Sequence, residues 1–254
     1  MCILFIAIDR HPEFPLIVVA NRDEFHPRLT KSAHFWPQPN SILAGLDLQA
    51  GGTWLGLNQD GEFSALTNIR SGLNQNPDAK SRGELVPFAL AKNSNLDHDW
   101  LTLHGDNYNP FNLIFQKQNS LFCYNSIDRT STKLSPGFHA ICNGSLDDVW
   151  PKMAKGEQAL EKLISQNKTI DIARLFSIMQ DRTAAPDELL PNTGIGIEWE
   201  RKLSSIFIQS KDYGTRSTSV MLKHNNGDID FYEQSYTNDG AIFNEKSFEL
   251  TQKG

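Results

Sequence analysis

The first third of the chain alternates short apolar runs with polar breaks. The runs "ILFIAI", "PLIVVA", "TWLGLN" and "EFSALTN" are brief and rich in β-branched and aromatic residues, which predicts strands. Between the last two, "NQDG" from Asn58 to Gly61 supplies a hairpin turn. From Ser81 the period lengthens. In "SRGELVPFALAK" Leu85, Phe88, Ala89 and Lys92 track one helical face behind a Ser81 to Glu84 capping-box spacing, and a second helix is expected from Leu96 to His104.

Strands return at "NLIFQ", "LFCYN" and "GFHAICN". Helices follow at "DDVWPKMAKGEQALEKLISQ", with Asp147 as candidate cap, and at "TIDIARLFSIMQDR". The strands "SIFIQ", "TSVMLKH" and "DIDFYEQ" close the series, the last two joined by "HNNGD". Two segments lack either rhythm. Residues 25 to 52, rich in Pro, Gly and aromatics, read as a long functional loop, and Ala184 to Ser204 as a surface loop.

Strands in runs, with helices inserted as pairs, point to an α+β sandwich of four layers, two stacked antiparallel sheets with helices outside. A doubly wound sheet fits less well, because helices do not alternate with strands and neither GxGxxG nor GxxxxGK[ST] occurs.

Composition narrows the function classes. A chain of 254 residues buries about 70% of its unfolded surface, so one large domain or two small ones can fold without a disulfide or structural metal. The net charge of −6, with Lys and Arg scattered singly, gives nucleic-acid binding no electrostatic footing. The apolar run after Met1 ends at Asp9 and Arg10, too short to span a membrane and without the basic flank of a secretory signal, so a cytoplasmic protein without a transmembrane segment is expected. Cys2, Cys123 and Cys142 lack CxxC spacing and are expected as free thiols, and no metal site is expected.

Cys2 carries the most specific chemistry. Loss of Met1 would leave one residue holding both a thiol and a free α-amine of pKa about 7.7 to 8.0, a nucleophile and base together. The plainer reading is a small buried residue at a strand start. "ANRDEF", ending the second strand, brings Arg22 to stabilise a thiolate and Asp23 or Glu24 to hold the ammonium. Asn68 and Asn143 each close a strand as oxyanion donors or as turn formers. Arg216 in "YGTRSTSV" is a clamp for a carboxylate or phosphate, or a surface arginine. Asn21, Phe25, Trp36, Trp54 and Thr67 are the candidate substrate contacts, with Phe35, Trp36 and Trp54 suggesting an apolar substrate portion under the 25 to 52 loop.

With those residues assembled, the chain resembles the NRDE family, also called the Transport and Golgi organization protein 2 family. The likeness covers essentially the whole chain, as one domain over residues 1 to 254, and rests on "MCILF", "ANRDEF.PR", "GLDLQAGGTWLG", "G.FSALTN.R", "SRGELV", "FNL", "ICNGSLDDVWPK", "LPNTGIGIEWERKLSSIFI" and "YGTRSTSV". It implies an N-terminal nucleophile hydrolase-like αββα fold, related to penicillin V acylases and bile salt hydrolases. Carried over, Cys2 matches their nucleophile, Asn68 and Asn143 their asparagines, and Arg216 their late arginine. Those acylases space a second-strand Arg and Asp three apart, whereas Arg22, Asp23 and Glu24 are consecutive here; either Asn21 and Glu24 or Arg22 and Glu24 could fill the two places.

Two functions are therefore expected to compete. One is a cysteine-nucleophile amidase or acyl-transfer hydrolase acting on a small apolar amide or thioester, with no cofactor. The other is a carrier of an amphipathic ligand, haem or an acyl lipid or acyl-CoA, in the same pocket, with Cys2, His26, His34 or His139 as candidate iron ligands.

Overall fold

The computed structural model describes residues 2–37, 41–72 and 75–252. Six strands form one sheet: β1 (Cys2–Ile8), β2 (Leu16–Phe25), β10 (Gly137–Ile141), β11 (Tyr213–Lys223), β12 (Ile229–Tyr236) and β13 (Ile242–Leu250), in the order β10-β1-β2-β11-β12-β13. Seven form the other: β3 (Thr30–Phe35), β4 (Leu43–Asp47), β5 (Leu55–Leu57), β6 (Phe63–Asn68), β7 (Phe111–Lys117), β8 (Ser120–Asn125) and β9 (Thr130–Lys133), paired in chain order. Every pairing in both sheets is antiparallel.

Burial separates the layers. Leu4, Ile6, Val18 and Met221 of the first sheet meet Leu55, Phe63 and Ile114 of the second. The alternate residues Ile3, Phe5, Ile17 and Val19 face away, onto α3 (Pro151–Gln166) and α4 (Ile172–Met179). On the far side of the second sheet, Leu113, Phe115 and Tyr124 pack with α1 (Leu85–Ala89) and α2 (His98–His104). This is the αββα sandwich, and it explains the unbroken apolar reading of β1: both faces are covered. Gly156 lets α3 lie directly on β1, since a Cβ there would run into the Phe5 ring.

Both expected hairpin turns form. Asn58 Oδ1 accepts from the Asp60 and Glu62 N–H groups, and Gly227, at φ +90, closes the turn in which His224 N–H meets Asp228 O at 2.8 Å.

Other expectations are corrected. Residues 25 to 52 are no structureless loop: β3 and β4 lie within them, while Gln38, Pro39 and Asn40 fall outside the described residues. Ser81 makes no side-chain cap. The Glu84 carboxylate instead accepts from Tyr108 Oη at 2.6 Å, and the helix is reduced to a 3-10 turn followed by α1. Asp147 does not cap α3. Its Oδ1 accepts from Ala140 N–H and its Oδ2 meets His139 Nδ1, both at 2.9 Å, so the helix starts beyond it with Pro at its first turn. In "SIFIQ" Ser205 to Ile208 are buried and Gln209 makes an isolated bridge to Gly214 without joining a sheet, and the 184 to 204 segment contains α5 (Ile197–Lys202). No helix among the described residues is long and apolar enough to cross a membrane.

Candidate functional site

Register builds the site. Antiparallel pairing of β1 and β2 sets Cys2 directly opposite Arg22, on the face toward the second sheet, where Trp54 lies under the guanidinium with 4.5 Å between Arg22 Cζ and the ring centre. Arg22 is 4% exposed. Its Nη2 is 3.9 Å from Glu24 Oε2, and its Nη1 has no hydrogen-bond partner among the described residues. Asp23, one residue on, accepts from Thr215 Oγ1 at 2.7 Å. Burial raises its carboxyl above the usual range, against the charge of Lys152.

A cavity of about 500 Å³ opens over Cys2. Arg22, Asp23, Glu24, Trp54 and Asn68 line it, as do Arg28, Asp47, Thr53, Lys80 and Arg82, for which the sequence reading held no role. Arg28 and Arg82 lie in "ANRDEF.PR" and "SRGELV", but the segments that meet are far apart in the chain, so no local spacing reveals the cluster. The wall is mainly polar, and the apolar pocket expected from Phe35 and Trp36 is corrected. Phe35 is half-exposed against Phe248, and Trp36 is buried on the helical side with its indole donating to Ala44 O at 3.1 Å.

Several other candidates are placed away from the cavity. Asn21 faces the helices, its amide donating to Met179 O (2.8 Å) and Ile206 O (3.0 Å) and accepting from Thr218 Oγ1 (2.6 Å). Of the two pairs left open for the second strand, only Arg22 and Glu24 therefore lie at the cavity. Asn143 is buried as a brace: its Nδ2 donates to Asn68 O at 2.9 Å, and its Oδ1 accepts from Cys142 Sγ and Arg70 Nη2, both at 3.2 Å. Arg216 is the extra residue of a bulge between Thr215 and Ser217, and its Nη1 donates to His26 Nδ1 (2.9 Å) and Asn238 Oδ1 (3.0 Å). Phe25 packs edge-on to Tyr213, and Thr67 Oγ1 accepts from Asn112 at 3.1 Å.

The three candidate histidines are engaged elsewhere. His26 meets Ser210 O and Arg216, His34 meets Ser32 O, and His139 lies between Asp147 and Ser135 O. Among the described residues no three His, Cys, Asp or Glu side chains are grouped so as to hold a metal ion.

Chemically, the site is a thiol among fixed charges. Burial pushes the Cys2 thiol up to about 11, Asp23 and Glu24 add to that, and Arg22 opposes it. The thiol is therefore protonated at neutral pH and needs a base to become a nucleophile. Met1, whose removal would supply one, lies outside the described residues.

Comparison with known proteins extends this picture. A solved bile acid hydrolase from Clostridium perfringens, in its C2A mutant form, superposes with TM-score 0.54 over 98% of this chain and 92% of its own, at 10% identity. A Caenorhabditis elegans ortholog of N-acylethanolamine-hydrolyzing acid amidase matches with TM-score 0.50 over 87% and 92%, at 12% identity. At these identities the likeness gives the fold, that of N-terminal nucleophile hydrolases. In sequence, the Transport and Golgi organization protein 2 homolog of Bos taurus is 33% identical over 92% of this chain and 93% of its own length, and the Mus musculus homolog 32% identical over 99% of each. The Transport and Golgi organisation 2 family model matches residues 1–238, and the chain belongs to that family.

Proposed function

We propose that the protein is a cysteine-nucleophile hydrolase or acyl transferase acting on an amide or thioester, with Cys2 as nucleophile once Met1 is removed. The observation that carries this reading is the β1 to β2 register, which sets the Cys2 thiol beside Arg22 at the floor of a cavity. The two solved neighbours, an amidase and a bile acid hydrolase, are consistent with it.

The steps follow from the groups present. The α-amine of Cys2 takes the thiol proton, and the thiolate adds to the carbonyl carbon. Arg22 stabilises the thiolate, Asp23 holds the resulting ammonium, and Asn68, on the cavity wall, is the side-chain donor for the oxyanion. The ammonium returns its proton to the departing amine or thiol, leaving a thioester on Cys2. Water then attacks, its proton passing to the same amine, and releases the acid. Arg216 and Asn143 are given no part, because neither lines the cavity.

Intact-protein mass and iodoacetamide labelling test the reading together. The expected result is a protein lacking Met1, whose Cys2 reacts faster than Cys123 and Cys142. Retained Met1, or a Cys2 no more reactive than the other two, sinks it. A carrier function for haem would have to rest on Cys2 alone, since none of the three histidines lines the cavity; a ferric-haem titration of wild type against Cys2→Ala, followed at the Soret band, addresses that alternative.

A further inference from the structure

Part of the cavity wall is not used by the acyl-transfer steps. Arg28, Lys80 and Arg82 join Arg22 there, and among the described residues the acids of the wall are Asp23, Glu24 and Asp47, in a chain whose net charge is −6. The acids are largely committed. Asp47 Oδ2 holds Arg28 through Nη2 (2.6 Å) and Nε (2.7 Å), while its Oδ1 accepts from the Gln49 and Ala50 N–H groups. Asp23 Oδ1 accepts from Thr215 Oγ1, and Glu24 Oε2 stands 3.8 Å from Arg28 and 3.9 Å from Arg22.

Arg82 differs from these. Its hydrogen-bond partner is a neutral one, Pro110 O at 2.9 Å from Nη1, and no acid of the described residues lies within 4 Å of it. Burial and the neighbouring Arg28 push its guanidinium down to about 10, so it is still charged at neutral pH. Its position is also fixed. Thr53 N–H donates to Gly83 O at 3.0 Å, and a side chain at Gly52 would meet the Gly83 backbone, so the segment carrying Arg82 is pinned against the one carrying Trp54. Arg22, itself nine-tenths buried, lines the same cavity, and its Nη1 has no hydrogen-bond partner among the described residues.

We infer that Arg82, with Arg22 and Arg28 beside it, forms a recognition site for an anionic oxygen group of the ligand, a carboxylate or a phosphate, held in the same cavity as the Cys2 thiol. A planar guanidinium fork matches either group, and both need the cationic surroundings found here. The inference rests on the acyl-transfer reading only in taking the cavity as the place where a ligand meets Cys2; it adds the charge that this ligand carries.

Cys2 can report on the site directly. Its alkylation rates with iodoacetate, which is anionic, and iodoacetamide, which is neutral, are each divided by the rate of free N-acetylcysteine. The expected normalised ratio favours iodoacetate by on the order of tenfold. It collapses in Arg82→Gln, is largely kept in Arg82→Lys, and shrinks between 0.1 and 1 M salt as the screening length falls from about 10 Å to about 3 Å. Saturable protection by inorganic phosphate or by succinate tells which anion is preferred. A ratio equal to that of N-acetylcysteine and unchanged in Arg82→Gln overturns the inference, however reactive Cys2 proves. If Cys2 reacts with neither reagent, the acyl-transfer reading falls by itself, and thermal unfolding then decides the anion site: a Tm raised by phosphate or succinate in wild type but not in Arg82→Gln supports it, and no rise overturns it.

Discussion

Two buried arginines in this fold each lie over a tryptophan and each have a glutamate close by, yet they are wired differently. Arg70 has its Cζ 5.1 Å from the Trp150 ring centre, donates from Nη1 to Glu200 Oε2 at 2.5 Å and from Nη2 to Asn143 Oδ1 at 3.2 Å, while Glu200 Oε1 accepts from Thr193 N–H at 2.9 Å. Arg22, over Trp54, has its glutamate at 3.9 Å and one terminal nitrogen with no partner. Arg70 ties the end of β6 to β10 and α5, and both of its terminal nitrogens are used for that. Arg22 ties little. A buried charge left unmatched costs free energy, and a ligand can recover that cost.

The comparison predicts its largest effect at the ion-paired site, where only Arg70 Nε lacks a partner among the described residues. Glu200→Ala strands Arg70 in the interior and should cost about 3 to 5 kcal/mol, with Tm falling by roughly 2 to 4 °C per kcal/mol for a chain of this size. Urea or thermal unfolding measures it. A loss well below this would mean that the Arg70 cluster is not the structural lock described.

Asn21 belongs with Arg70. It has three hydrogen bonds, and Asn21→Leu leaves the Met179 and Ile206 carbonyls and the Thr218 hydroxyl short of a partner, an expected cost of about 2 to 4 kcal/mol. The same variant should leave Cys2 labelling by iodoacetamide intact, because Asn21 faces the helices. A normal stability with impaired labelling would reverse its assignment.

That distinction between Asn21 and Arg22 shows what can be read from sequence. Strand identity was legible in β1, β2, β7, β8 and β12, where one or both faces are buried and apolar residues recur in short runs. That the "ANRDEF" stretch lies near Cys2 was legible once β1 and β2 were taken as paired strands. Which of Asn21, Arg22 and Asp23 faces the thiol was not legible, since a shift of one residue exchanges the faces and nothing local sets the register. β3 and β13 were missed because much of each is exposed and their patterns "TKSAHF" and "IFNEKSFEL" offer no clean alternation. "SIFIQ" misled in the other direction, since burial needs no partner strand. Arg28, Asp47 and Arg82 meet only in three dimensions.

Glu233 gives an intermediate effect with a sign. It is 2% exposed, accepts from Ala33 N–H at 2.7 Å, and burial pushes its carboxyl up to about 7 from an ordinary 4.5. A carboxyl raised on folding favours the folded state while it is protonated. Its contribution is therefore full below about pH 4.5 and is lost as the pH rises through about 7, a difference of roughly 3 kcal/mol. Glu233→Gln keeps an acceptor for Ala33 and cannot ionise, so the stability of wild type relative to the variant should fall across that window. Paired urea titrations at pH 4.5 and 8 measure it, and a difference independent of pH refutes the assignment.

The smallest stability effect is expected where the functional effect is large. Arg22→Met removes a poorly matched buried charge and replaces it with a flexible apolar chain that can still lie on Trp54, a kind of exchange that is often neutral in stability. Stability should therefore change by less than about 1 kcal/mol, in contrast to Glu200→Ala. Without the guanidinium the Cys2 thiolate loses the favourable charge of Arg22, so a rise of about one pKa unit and roughly a tenfold slower alkylation at fixed pH are expected. Both readouts come from one protein preparation. If Arg22→Met unfolds as readily as Glu200→Ala, the two arginines are alike and Arg22 is scaffold; if stability holds while Cys2 slows, the unmatched guanidinium is kept for the chemistry of the thiol.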